Sequence, residues 1–465
     1  MNRFVAPVLT FLILAAVAIG QQASPAPPQA TPTSPEFLKA ADEVLADVSK
    51  LISLPLKSPL KKTVRTREEI RDFILREVNE DRDAAKWYAD QKALETFGLI
   101  PRGFDLQKFV VDLLTEQVAG LYDPKSKEFY IADWIALAEQ RMVMSHELVH
   151  ALQDQHFDLK AWSDAARPND DAELARHSVL EGSAIAGMLE YMLREQKISV
   201  KDLPDIEQFI RAQMIGELDK QSQLGKAPAY IRDSLLFPYL AGTSFSQQLL
   251  RAGGSWGKFY KVFEKPPAST HQVLHPDLYL SEENLSPVPL AAAAGTVPAG
   301  WKKLDENTLG EFGVHALLKQ FLGEERAKRL SPAWTGDAYA VFEQQKTKRV
   351  LLLFCLRLAA DADAVRFLGA YSEALELKHV SRSHLFRRPN FFSLETGMGG
   401  VFLYCHKDEC LTVEGSTRTL FESITRALRW PDAPRPAPSA KPSEKVAAVL
   451  PVPSQAGLHA LHSAP

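Results

Sequence analysis

The stretch RMVMSHELVHALQDQHFDL, residues 141–159, holds three histidines and a glutamate at spacings suited to a metal ion. His146 and His150 stand four residues apart, about one helical turn, so both imidazoles leave a helix on the same side. Two ring nitrogens so placed can grip one zinc ion at about 2.0–2.1 Å. Glu147 lies about 100° round from His146 on the same helix. From there it reaches a water on the ion without being a ligand, and can take a proton as that water attacks a carbonyl. That is the chemistry of peptide-bond hydrolysis, with Glu147 as general base. The apolar neighbours Val143, Met144, Val149 and Leu152 put HELVH on a partly buried helix. Burying two histidines and a glutamate without a purpose carries a desolvation cost. The bland alternative is a set of structural histidines on an amphipathic helix.

The third ligand has two candidates. His156 follows at the HExxHxxGxxH spacing, but the glycine of that pattern is Gln153 here. Without the sharp turn that glycine permits, the helix continues and His156 points about 240° away from His150. Glu181, in HSVLEGSAIAGM, lies on a second helical stretch after a loop rich in turn residues, ARPNDD. Gly182 and Ala184 beside it allow the two helices to approach around a small ion.

Stepping outward from these residues, the segment 35–119 reads as mostly helical, with SPEFLKAADEVLADVSKLI opening on a Ser-Pro pair suited to a helix start. VAGLYDPKSKEFYIADW reads as two short strands around a turn, leading into the HELVH helix with Asp133 as its cap. Helices continue from 171 to about 262, and 265–300 reads as loop. From about 308 an α+β unit follows: the helix EFGVHALLKQFLGEERAKRL, the strands DAYAVFEQ and KRVLLLFCLRL, and the helix DAVRFLGAYSEALEL. It closes with a hairpin at VFLYCHKDECLTVEG and the helix TLFESITRALRW.

HELVH followed by LEGSA resembles the gluzincin metallopeptidases, whose third zinc ligand is a glutamate. The fuller series VAGLYDPKSKEFYIADW, SHELVHALQDQHFDL, LEGSA, FPYLAG and PPASTHQVLHPDLY is similar to a group of exported bacterial proteins of zinc-peptidase type. The resemblance covers about residues 115–285. It implies a zinc ion (Zn2+) held by His146, His150 and Glu181, Glu147 as base, and a peptide or protein substrate. It further implies that EFYIAD forms a cleft edge able to pair with extended substrate. The fold expected is α+β: a mostly helical zincin-like core with a small antiparallel sheet over 35–305, and a C-terminal α+β domain over 306–430. Ile185 departs from the thermolysin-like pattern, which has an aspartate there. A carboxylate orienting a ligand histidine must then come from elsewhere, with Asp154 and Asp171 as candidates. Tyr191, Tyr239, His271 and His275 are candidates to stabilise an oxyanion.

Two rivals stand beside this reading. One is a catalytically inactive, zinc-stabilised envelope scaffold or binding protein with a peptidase-like fold. The other is a zinc hydrolase of cell-wall amides. The remaining chain sets the context. A net charge of −4 with scattered basic residues gives no electrostatic reason to expect nucleic acid. Residues 1–20 read as a cleaved export signal, implying a periplasmic or extracellular protein with no membrane span once it is removed. Residues 21–34 read as a flexible linker and 431–465 as a disordered Pro/Ala-rich tail. Of three cysteines, Cys405 and Cys410 flank a turn and could close a hairpin in an oxidising compartment, with two free thiols as the alternative.

Overall fold

The computed structural model describes residues 34–81, 84–117, 120–216 and 222–435, so the expected signal, most of the linker and most of the tail lie outside the described residues. The helical layer is built from apolar residues at threes and fours. In α1 (Ser34–Leu51), Phe37, Ala40, Ala41, Val44, Leu45 and Val48 are all buried. The HELVH helix, α2, runs unbroken from Leu137 to Phe157 and is covered on every side between Val143 and Asp154. Its start corrects the cap expectation. Ala136 holds the N-cap position, while the main chain of Asp133 extends the strand pairing by donating to Arg65 O. The next long helix, α3 (Asp170–Leu193), is capped by Asn169, whose side chain accepts from Ala172 N at 3.0 Å. Asp170, Asp171 and Glu173 occupy its first turn, where carboxylates suit the helix dipole. Helix α4 (Ala229–Gly253) packs along α3.

The small sheet has three strands: β1 (Lys61–Arg65), β2 (Gly120–Asp123) and β3 (Glu128–Ala132), in the order β1-β3-β2. β2 and β3 are the antiparallel pair read from the sequence. β1 lies parallel to β3, so the sheet is mixed rather than antiparallel, and EFYIAD is its centre rather than its edge. KKTVR hid among helices because it is short, polar and only half-buried, with no apolar alternation to mark it.

The second sheet has seven strands, every neighbouring pair antiparallel: β4 (Trp301–Asn307), β5 (Trp334–Gln344), β6 (Val350–Leu358), β7 (Arg382–Arg388), β8 (Phe391–Thr396), β9 (Gly399–His406) and β10 (Glu409–Ser416). Their order is β4-β5-β6-β10-β9-β8-β7. The run VLLLFCLRL of β6 is buried on both faces. Leu352, Phe354 and Leu356 join the large core, and Leu351, Leu353 and Cys355 join a smaller one beneath the opposite face. Helices α5 (Gly310–Leu322) and α6 (Asp361–Lys378) contribute to the large core, and α7 (Arg418–Ala427) to the smaller one. Cys405 and Cys410 face each other across β9 and β10 and form a disulfide. The helix read over 311–330 breaks at Gly323, whose φ of +83° is open to glycine. The 265–300 segment, read as loop, carries the short helices Thr270–Leu274, Pro276–Leu280 and Leu290–Ala294.

The helical layer and the large sheet share one core: Phe97 meets Tyr339 and Phe354 edge-on, with centroids 5.2 and 5.5 Å apart. The architecture is α+β, and among the described residues no helix is long and apolar enough to cross a membrane.

Candidate metal centre

Helices α2 and α3 bring together the three residues singled out as ligands. His146 Nε2 lies 3.1 Å from His150 Nε2 and 3.2 Å from Glu181 Oε2, and His150 Nε2 lies 3.7 Å from that same oxygen. A tetrahedral zinc ion with arms of about 2.0–2.1 Å requires ligand atoms about 3.3 Å apart. The three atoms therefore form one triangular face of such a site. All three side chains are sealed from solvent, at 0%, 2% and 0% exposure for His146, His150 and Glu181. Among the described residues, neither Glu147 nor Glu181 forms an ion pair with a lysine or arginine. A divalent cation would supply the positive partner that these two buried carboxyl groups lack. The donor set fits zinc in kind, number and spacing.

Protonation follows from burial. Loss of solvent pushes the His146 imidazole down to about 4, so at neutral pH it is uncharged and keeps a lone pair for a metal. Burial also pushes the Glu181 carboxyl up. The His150 ring, hydrogen bonds from His146 and His150, and the His177 ring more than reverse this and hold it below the usual carboxylate range. Glu147 goes the other way. Burial raises its carboxyl well above the ordinary value, opposed by one backbone hydrogen bond and reinforced by Glu181. A raised carboxyl is what a general base working near neutral pH requires.

That backbone hydrogen bond comes from β2. Tyr122 N donates to Glu147 Oε2 at 2.9 Å, so the strand pins that carboxyl group. The same tyrosine donates its hydroxyl to Asp154 at 2.6 Å; Asp154 also receives Lys127 Nζ and Leu159 N. Asp154 is thereby committed to the strand–helix junction, and Asp171 accepts from Thr270, so neither orients a ligand histidine. His146 Nδ1 is buried without a hydrogen-bond partner.

The residue that sequence reasoning missed is His177, one turn before Glu181 on α3. Its Nε2 lies 3.7 Å from Glu181 Oε1, and both atoms are buried with no hydrogen-bond partner. The signal was present as HSVLE, a histidine four residues before the expected ligand. His156 points away, its Nε2 2.7 Å from Pro55 O, because α2 continues straight through Gln153. Of the four oxyanion candidates only Tyr239 is at the site, its ring stacked on His146 at 6.5 Å. Tyr191 lies under Arg194, while His271 and His275 gather elsewhere around Glu311.

The close approach expected of Gly182 occurs against a different helix. A Cβ there would lie 2.0 Å from the Gly242 main chain on α4, while Gly187 is the glycine that faces α2, at Val149. A cleft of about 70 Å³ reaches His150, lined by Tyr122, Asp123, Leu180, Glu173 and Arg167 among others.

One family model matches the chain: a domain of unknown function (DUF8575), over residues 297–425, a range that does not include His146, His150 or Glu181. Among curated proteins and solved structures, none matches.

Proposed function

We propose that the chain is an exported zinc-dependent peptidase with a zincin-like core, in which His146, His150 and Glu181 hold the ion and Glu147 is the general base. The observation that carries this reading is the triangle of Nε2, Nε2 and Oε2 atoms with edges of 3.1, 3.2 and 3.7 Å. Bound there, zinc would acidify a water and polarise a substrate carbonyl. The remaining work belongs to the chain itself. Glu147 takes the proton and delivers it to the leaving amine, and the Tyr122 amide holds its carboxylate in place. His177 stands 3.7 Å behind the Glu181 oxygen opposite the one that faces the ligand histidines, where a small shift would let it donate and set the angle of that carboxylate. β2 is an edge strand whose only partner among the described residues is β3, and Tyr122, at its end, lines the cleft. The edge expected at EFYIAD thus moves to GLYD.

The test pairs two measurements on one variant. Glu147→Gln should keep stoichiometric zinc and lose hydrolysis of a casein or peptide-library substrate by at least about a hundredfold. Zinc absent from the purified wild-type chain sinks the reading. A second reading, a zinc-stabilised protein without turnover, is favoured by the sealing of the site. His146, Glu147, His150 and Glu181 are all at most 2% exposed, which leaves little open face for a peptide. An unchanged, background-level hydrolysis rate in wild type and Glu147→Gln, both carrying zinc, would decide for it.

A further inference from the structure

We infer that the chain holds a second divalent-metal site of zinc type, formed by His271, His275 and Glu311, that ties the helical layer to the segment carrying the large sheet. His271 lies in the short helix Thr270–Leu274, His275 closes that helix one turn on, and Glu311 comes from the first turn of α5. Glu311 Oε2 sits 2.6 Å from His271 Nδ1 and 2.9 Å from His275 Nε2, and the three ligand atoms all lie within 4.8 Å of one another. His271 and Glu311 are each 3% exposed. Two nitrogens and one carboxylate oxygen repeat the donor set of the first site and suit the same borderline metals.

The surroundings point to a cation independently of that triad. The far nitrogen of His271, Nε2, faces Glu283 Oε2 at 3.3 Å, and that oxygen is buried with no hydrogen-bond partner. A carboxylate behind a ligand imidazole is the usual support of a metal-bound histidine, fixing its tautomer and ring plane. Close by, Asp171 takes its hydrogen bonds from the amide and hydroxyl of Thr270. Asp337 takes its own from Leu309 N, Gly310 N and the Trp334 indole. These donors are neutral, so the carboxylates gathered at the start of α5 gain no compensating charge from them. His275, with its side chain 30% exposed, lines a cavity of about 450 Å³ together with Glu311, which gives an ion a way in. The present spacings of 2.6 and 2.9 Å are those of hydrogen bonds. Seating an ion asks the Glu311 carboxylate to withdraw by roughly half an ångström, toward the 3.3 Å edge of a zinc tetrahedron.

The site would act as a staple. Thr270, next to His271, donates its hydroxyl to Asp171 on α3 at 2.5 Å and accepts from Phe312 N of α5 at 3.2 Å. Asp171 is ten residues, about 15 Å of helix, from Glu181. An ion here would fix α5, and with it the sheet segment, against the helix that supplies Glu181.

The experiment counts zinc per full chain after exhaustive chelation and dialysis against zinc chloride, with cobalt(II) absorption as a second readout of each site. Two ions are expected in wild type, one in His275→Gln, one in His146→Ala and none in the double variant. His275→Gln keeps a donor toward Glu311, so a clasp held by protons alone survives it, whereas the ion is lost. Glu311→Gln serves as the second variant and should also bind one ion. One ion in wild type that persists in His275→Gln overturns the inference. One ion that His275→Gln removes and His146→Ala retains upholds it and instead removes the first site.

Discussion

Gly182 and Gly242 meet main chain to main chain where α3 crosses α4. A methyl on Gly182 would lie 2.0 Å from the Gly242 carbonyl, and one on Gly242 would lie 2.1 Å from Ser178 O. Backbone cannot yield as a side chain can, so either methyl must force the helices apart. Gly182→Ala is expected to destabilise by about 3 kcal/mol. It should also weaken zinc binding, since the neighbouring residue is Glu181. Urea unfolding and a zinc titration of the same variant check both effects; a full-affinity, full-stability variant contradicts this packing.

His177→Ala should weaken zinc binding at the first site by about 10–100-fold, the usual cost of losing a group that orients a ligand. The zinc-free chain should lose some stability too, since a buried ring is removed, so affinity is compared on folded protein. His177→Gln, which keeps a donor toward Glu181 Oε1, should recover part of the affinity. Equal losses in the two variants would mean that His177 only fills space.

Chelation should lower the thermal midpoint of the wild-type chain, because an ion that binds only the folded state adds about 2.7 kcal/mol when free zinc is a hundredfold above its dissociation constant. The drop should be smaller in Glu181→Gln, which has already lost one site. A chelator that leaves wild type unmoved would leave the buried carboxylates of α2 and α3 without a counter-charge.

Acid should unfold the sheet segment through Glu414. Burial raises its carboxyl, but Lys378 and His379 together outweigh this and hold it at about 2 against an ordinary 4.5. Lys378 Nζ lies 2.7 and 2.8 Å from its two oxygens. A carboxyl with a depressed folded value stabilises the fold above pH 4.5 and loses that contribution as pH falls toward 2. The loss is about 3 kcal/mol. Glu414→Gln should flatten this acid limb. It should also cost roughly 3–5 kcal/mol at pH 6, because the Lys378 ammonium, already drawn down by burial, loses its partner. Urea midpoints at pH 6 and pH 3 measure both.

What the sequence made legible was the placement of side chains by local periodicity. His146, His150 and Glu147 needed only helical spacing, and His156 was turned away by the missing glycine at Gln153. Glu181 needed a return helix, which its turn residues announced. The less legible features depend on long-range partners. Tyr122 N reaches Glu147 only because β2 runs beside α2. β1 reads as exposed polar chain until β3 pairs with it, and that pairing covers EFYIAD and leaves KKTVR and GLYD as the two edges. Gly182 was rightly read as a close-approach residue but given to the wrong neighbour, since one sequence cannot say which helix a glycine faces. His271, His275 and Glu311 escaped as a group because their spacing spans a loop and a change of segment.

The hydrogen bond from Tyr122 N to Glu147 has a consequence for how the site can vary. The donor is main chain, so every amino acid except proline at position 122 supplies it equally. What must be preserved is the path of the strand, which many sequences can encode. The tyrosine is tied down instead by its hydroxyl, which serves the junction at Asp154. A chain could therefore exchange that tyrosine, repair the junction by other means and keep Glu147 aimed. The register of GLYD against EFYIA, more than the identity of any residue in it, is what would have to be inherited.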